Sequence, residues 1–338
     1  MNPFVYNSPV RGKDFYDRED AQKKILKETV LGKSQGNIWI TGERQIGKTS
    51  LMRHIQSLNE TAQYKISPYG SNKEMNVAFV YINVQGCQNE DDFYNIIWQG
   101  LKDSFDFKIN KTETGYLNFI SALDEVYSKR NYYVVLLIDE FDAYLETIAY
   151  KRPESATRFL AKLSSLLQEV DEIEDGSKAF GCVFTANHDM KDLLTENFID
   201  VRGSGLIVEA MHLNWFTREQ IKGLASLYLE GNSIGFSDLE IDLCYKATYG
   251  YPYFTQKMLS LMYEARTNMK SGKEYLELVK EQFGKMFEET IDDWGGEKMP
   301  IRTLKKLMEL VKEMEIGEKL VKALFVTLEV YLKSRIGA

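Results

Sequence analysis

The feature that most constrains this chain is the stretch Gly42-Glu43-Arg44-Gln45-Ile46-Gly47-Lys48-Thr49. It lies between an apolar run, NIWIT (37–41), and KTSLMRHIQSL (48–58), whose Leu51, Met52, Ile55 and Leu58 recur at helical spacing. Two glycines around four residues let a backbone fold over so that several N–H groups aim at one spot, which is how a loop cradles phosphate. A helix opening at the end of that loop adds its positive end. The strand–loop–helix context selects Gly42, Gln45, Ile46, Gly47, Lys48, Thr49 and Ser50 as a nucleotide-binding set. Lys48 is expected to reach the β- and γ-phosphates, and the Thr49 hydroxyl to ligate Mg²⁺.

A second acidic stretch complements the loop. YYVVLLIDEFDAY ends a continuous apolar run in Asp139, Glu140 and Asp142. Alone, acids after a strand are most often a solvated turn. Paired with the loop, Asp139 at the end of a strand neighbouring it is expected to help hold Mg²⁺. Glu140 is placed to polarise a water for in-line attack on the γ-phosphate. Asp142, beyond the strand end, is expected to be solvated.

Around these motifs, apolar runs at 76–84, 132–139, 179–186 and 205–213 read as further strands, and 18–31, 90–105 and 154–170 as helices. Alternation of this kind implies a parallel sheet wrapped on both faces. After 215 the β signal stops. Helical runs fill roughly 217–291, and after a break at 292–300 two more span 301–314 and 317–335. The architecture expected is an α/β core followed by a helical annex.

Composition excludes several classes. The chain has 338 residues, 44% hydrophobic and 27% charged, enough for more than one core. No apolar run reaches membrane-spanning length, and the N-terminus lacks a secretory pattern, so a cytoplasmic protein with no membrane partner is expected. Three cysteines and three histidines are scattered without metal-ligand spacing. A net charge of −8 argues against coating nucleic acid through the bulk field. From Glu297 on, nine Lys/Arg against six Glu make a mildly basic tail, too weak for a nucleic-acid footprint.

With both motifs in place, the chain resembles the AAA+-like ATPases of the STAND class (signal-transduction ATPases with numerous domains) and their archaeal-type relatives. The resemblance implies a parallel P-loop NTPase sheet covered by helices, then a helical lid and a helical C-terminal segment. It divides the chain into a core at 1–215, a lid at 216–291 and a segment at 292–338, a partial winged helix or an interaction element. It also implies ATP, with Mg²⁺, as the nucleotide. NPFVYNSPVRGKDFYDREDAQKKI resembles the family's entry segment and implies Phe15, Arg18 and Glu19 near the base, with Val10 and Arg11 as further candidates; Asp17 stands where members often carry glycine. AFGCVFTANHDM resembles the strand ending in a polar γ-phosphate sensor, Asn187 first and Thr185 second. In IDVRGSGLIVEAMHL, Arg202 matches an arginine that reaches a neighbouring subunit's γ-phosphate. ATYGYPYFTQKML resembles the Gly-x-Pro element of the lid, with Gly250 and Pro252 matching it. Tyr251 and Tyr253 flank the proline, and no lid arginine of the motor type is evident.

The resemblance supports first a slow ATP-hydrolysing switch that couples nucleotide state to core–lid rearrangement and to assembly, as a homo-oligomer or with a protein partner. A DNA-linked ATPase, initiator-like or transposition-regulator-like, is the second reading, with double-stranded DNA as partner. A nucleotide-stabilised scaffold with negligible hydrolysis is the third.

Overall fold

The apolar runs become strands because layers on either side can cover them. The computed structural model describes residues 2–31, 36–67, 74–106, 114–168, 180–187, 189–197, 199, 209–231, 234–268, 279, 281, 282, 284 and 285. Its strands are β1 (Ile38–Thr41), β2 (Lys65–Ile66), β3 (Met75–Asn83), β4 (Tyr132–Asp139), β5 (Phe180–Ala186) and β6 (Glu209–His212). They form one sheet in the order β2-β3-β4-β5-β1-β6. All pairs are parallel except β2 with β3, which is antiparallel. β4 and β5 are buried along almost their whole length, as strands covered on both faces must be.

One expectation needs correction. The strand ending in Asp139 does not neighbour the loop-bearing strand; β5 lies between them. Register nevertheless brings the chain ends together. Asn83 faces Asp139, Ile138 faces Phe184, and Thr41 faces Ala186, so β3, β4, β5 and β1 finish in step at their carboxyl ends. Ligands of open α/β sheets bind at that edge.

The helices of this part are α1 (Glu19–Leu26), continued by wider turns over Lys27–Leu31, α2 (Lys48–Thr61), α3 (Glu90–Phe105), α4 (Gly115–Asp124), α5 (Phe141–Lys151), α6 (Pro153–Gln168) and α7 (Met190–Glu196). The Asn89 side chain caps α3 by accepting from the Asp92 N–H, and three acids occupy its positive first turn. An aromatic cluster ties α3, α5 and α6 to the sheet. Phe141 lies 4.6 Å from Phe184 and 5.7 Å from Trp39 between ring centroids. Phe93 lies 4.9 Å from both Tyr144 and Phe159. Such pairs add about 0.5–1.5 kcal/mol each beyond their burial.

The described residues fall into two compact units: Val10–Arg44 with Lys48–Leu213, and Met1–Pro9 with Gln45–Gly47 and the residues from Asn214 on. The second unit contains α8 (Arg218–Tyr228), α9 (Asp238–Thr248) and α10 (Pro252–Thr267). Thr217 and Ser237 open α8 and α9 with full capping boxes, and a proline opens α10. The N-terminal residues belong here: Asn2 Nδ2 donates to Ser260 Oγ at 2.7 Å, and buried Phe4 packs its ring 5.5 Å from that of Tyr228. No described helix is long and apolar enough to cross a membrane. The expected helices at 301–314 and 317–335, and most of 269–291, lie outside the described residues.

Candidate functional site

At the carboxyl edge of the sheet, β1 runs into the loop and the loop into α2. The loop takes unusual backbone angles, with φ of +60° at Gln45 and +105° at Gly47. A Cβ built on Gly47 meets nothing within 4 Å, so conformation rather than space calls for glycine there. Lys48, only 6% exposed, turns its ammonium onto three acceptors: Gly42 O at 2.8 Å, Glu43 O at 3.1 Å and Asn187 Oδ1 at 2.9 Å. Burial pushes its pKa down, while the charges of Asp142, Glu140, Asp139 and Glu43 oppose that shift.

Asp139 is fully buried and takes three hydroxyl donors. Thr49 Oγ1 donates to its Oδ2 at 2.8 Å and the Tyr81 hydroxyl to the same oxygen at 2.7 Å, while Thr185 Oγ1 donates to Oδ1. The register explains this convergence. Thr185 sits one step beyond the Ile138–Phe184 pair, level with Asp139. Tyr81 lies two residues before Asn83, Asp139's partner on β3, and side chains repeat with period two along a strand.

Glu140 follows in a left-handed conformation, φ +59° and ψ +39°, costly for a residue other than glycine and concentrated at functional sites. Its N–H donates to Thr185 Oγ1 at 3.1 Å. Burial first, then the charges of Asp142 and Asp139, raise its carboxyl pKa, with Lys48 and Arg44 pulling the other way. Asp142 contradicts its expected solvation: it is 3% exposed, and its Oδ2 accepts the Asn187 N–H at 2.6 Å. The start of α5 turns it inward, because Phe141 and Tyr144 on the same turn are core residues. Its Oδ1 has no hydrogen-bond partner among the described residues.

The structure therefore brings together Lys48, Thr49, Asp139, Glu140 and Asn187. Of the two sensor candidates, Asn187 contacts Lys48, whereas the Thr185 hydroxyl is engaged by Asp139 and Glu140. Ser50 Oγ accepts the Val10 N–H at 3.3 Å, tying the entry segment to α2. Phe15 stacks on His54 with centroids 4.4 Å apart. Arg18 adopts φ +79° as α1 begins, and burial lowers its pKa. Pro252 and Gly250 belong to the helical unit. Arg202 lies outside the described residues. Tyr81 and Asp142 were missed; strand parity marks the first only once the β3–β4 register is known, and helical periodicity from Phe141 marks the second.

The donors fit Mg²⁺. Thr49 and Asp139 offer a hydroxyl and a carboxylate, hard oxygens within 2.8 Å of each other. Among the described residues no group of three or more His, Cys, Asp or Glu converges. This sparse set matches an ion that completes its shell with phosphate oxygens and water.

Comparison with known proteins bears on the fold that carries this site. Residues 31–194 match the family model described as an AAA domain. No curated protein matches the chain in sequence. Among solved structures, the Walker-type ATPase of Pyrococcus abyssi is similar with a TM-score of 0.59 at 15% identity, covering 97% of this chain and 93% of that one. The Aeropyrum pernix ORC2 protein, solved in ADPNP–ADP complexes, gives 0.58 at 15% identity over 99% and 88%. The Aeropyrum pernix ORC1 protein in complex with DNA gives 0.52 at 14% identity over 94% and 84%. At these identities the likeness is one of fold.

Proposed function

We propose, from the premise that this chain has an AAA+-like P-loop ATPase core, that it is a slow ATP-hydrolysing switch. The observation that carries this reading is the convergence of Lys48, Thr49 and Asn187 with a fully buried Asp139 at one sheet edge. Backbone N–H groups of the loop, from Gly42 through Gln45, Ile46 and Gly47 to Thr49 and Ser50, hold the phosphates. Lys48 exchanges its carbonyl partners for phosphate oxygens. Thr49 and Asp139 would hold Mg²⁺, which when bound would supply charge neutralisation on the phosphates. Glu140 orients the attacking water, and its raised pKa suits a proton acceptor. Asn187 senses the γ-phosphate by donating from its amide Nδ2, while its Oδ1 accepts from Lys48. Arg18 and Pro252 serve the base and ribose, and Arg202 completes a neighbouring subunit's site.

In this reading the core at 1–215, the lid at 216–291 and the segment at 292–338 change their packing with nucleotide state. STAND-type coupling to partner or effector proteins, self-association and a cytoplasmic setting complete it. A DNA-linked role is the second reading, favoured by the fold likeness to the Aeropyrum pernix ORC1 protein solved in complex with DNA. The net charge of −8 weighs against it. A scaffold with negligible hydrolysis is the third, and Glu140 weighs against that.

ATP turnover measured against protein concentration, with and without double-stranded DNA and alongside light scattering, separates them. Slow turnover indifferent to DNA, with assembly that follows nucleotide, is the result expected of the switch. Turnover and particle size that rise on DNA would replace it with the DNA-linked reading, and no turnover with retained binding would leave the scaffold.

A further inference from the structure

The Tyr81 hydroxyl is not part of the loop or of the acidic motif, yet it makes one of the shortest contacts to their shared carboxylate. It donates to Asp139 Oδ2 at 2.7 Å, the oxygen that also accepts from Thr49. Thr185 holds the other oxygen. Rotating the Asp139 carboxylate would therefore break bonds to β3, α2 and β5 together. The ring is itself clamped: the Arg53 guanidinium lies 3.5 Å from its centroid. Arg53 is four residues after Thr49 on α2, so both side chains rise from one helix face. A phenylalanine would fill the same space, since the hydroxyl adds little volume. What the tyrosine contributes is the donated proton.

We propose that Tyr81 is a positioning residue for magnesium: its hydroxyl, steadied by Arg53, fixes the Asp139 carboxylate on Thr49 so that the two oxygen donors are set before the ion arrives. This rests on the reading of Thr49 and Asp139 as the metal-holding pair. The Tyr81 phenol can only donate to an acceptor carboxylate oxygen, so the bond is a donation. Partners that orient a metal ligand from behind govern affinity strongly; their loss typically costs about 10–100-fold in metal binding.

The test uses the full chain and a fluorescent ATP analogue. Nucleotide is bound first without metal, and Mg²⁺ is then titrated while the signal is followed. For Tyr81→Phe the Mg²⁺ concentration at half-change is expected to rise about 10–100-fold, with metal-free nucleotide affinity unchanged and a modest fall in melting temperature from the lost bond to Asp139. Arg53→Met keeps the hydroxyl and the apolar stem, and a smaller rise of the same kind is expected. A merely structural tyrosine would lower the melting temperature without moving the Mg²⁺ half-point. An unchanged half-point in Tyr81→Phe overturns the proposal. If Tyr81→Phe does not fold, Arg53→Met decides: a raised half-point supports the proposal and an unchanged one overturns it. Wild-type protein that binds nucleotide with no response to Mg²⁺ would overturn the metal-pair reading itself.

Discussion

The sheet unit and the helical unit both bury polar side chains, but with opposite outcomes. In the helical unit, Gln256 Oε1 aside, buried groups close on one another. Glu240 accepts from the Ser237 N–H and hydroxyl, and takes two further bonds from Arg266 at 2.7 and 3.0 Å. Thr248 donates or accepts with Cys244 O, Thr255 and the Gly250 N–H. In the sheet unit the charges of Asp142, Glu140 and Asp139 act on the buried Lys48 ammonium, which donates to Gly42 O, Glu43 O and Asn187 Oδ1, and Asp142 Oδ1 stays without a hydrogen-bond partner among the described residues. Polar groups that are fully satisfied hold a fold together. Like charges held close at an open strand edge serve a ligand that brings opposite charge and further donors.

Substitutions that move the two regions apart sharpen this contrast. The largest effect is expected from Glu140→Gln, which should reduce ATP turnover by about 10²–10⁴-fold while nucleotide binding persists. Its melting temperature should not fall, because a like charge is removed from the cluster; a marked fall would make Glu140 structural. Gly250→Ala should act oppositely. Gly250 sits at φ +82°, and an added Cβ would lie 1.7 Å from Phe216 O, so the backbone itself must shift. A loss of about 3–5 kcal/mol in denaturant unfolding is expected. Glu240→Gln weakens charge-assisted bonds to Arg266, whose side chain is 40% exposed, and should cost about 2 kcal/mol. A smaller loss than at Gly250 is expected from Gly47→Ala, at about 1–2 kcal/mol, since its positive φ is strained for alanine but the space is open. Equal losses at Gly47 and Gly250 would mean that the close approach of Phe216 O adds nothing to the cost of the positive φ.

Much of the sheet unit was legible because chemistry and periodicity coincide there. The loop needs glycines and a lysine at fixed spacing, and the apolar run 132–139 can only be a covered strand. Helices α4 and α5 were overlooked although Phe119, Ala122, Leu123 and Val126, and Phe141, Tyr144, Leu145 and Ile148, repeat as buried helical stripes. The two-residue β2 has no periodicity to read. Asp142 was misread because position after a strand was weighed above the stripe that follows it. The Tyr81 contact could not be read at all: it depends on which residue of β3 faces Asp139, and strand order and register are tertiary facts. Likewise β5 separates β4 from β1 although it follows both in sequence. In the helical unit, Gly250 and Pro252 were legible as positions, and the structure adds why glycine is required.

The central claim is that the loop at 42–49 holds a nucleoside triphosphate through Lys48. Equilibrium binding of labelled ATP to wild-type protein and to Lys48→Ala, with Mg²⁺ present and melting curves recorded in parallel, tests it most directly. Saturable wild-type binding that weakens at least about 100-fold in the variant, with the fold retained, is the result expected. Equal binding by both proteins, or none by well-folded wild type, would contradict it.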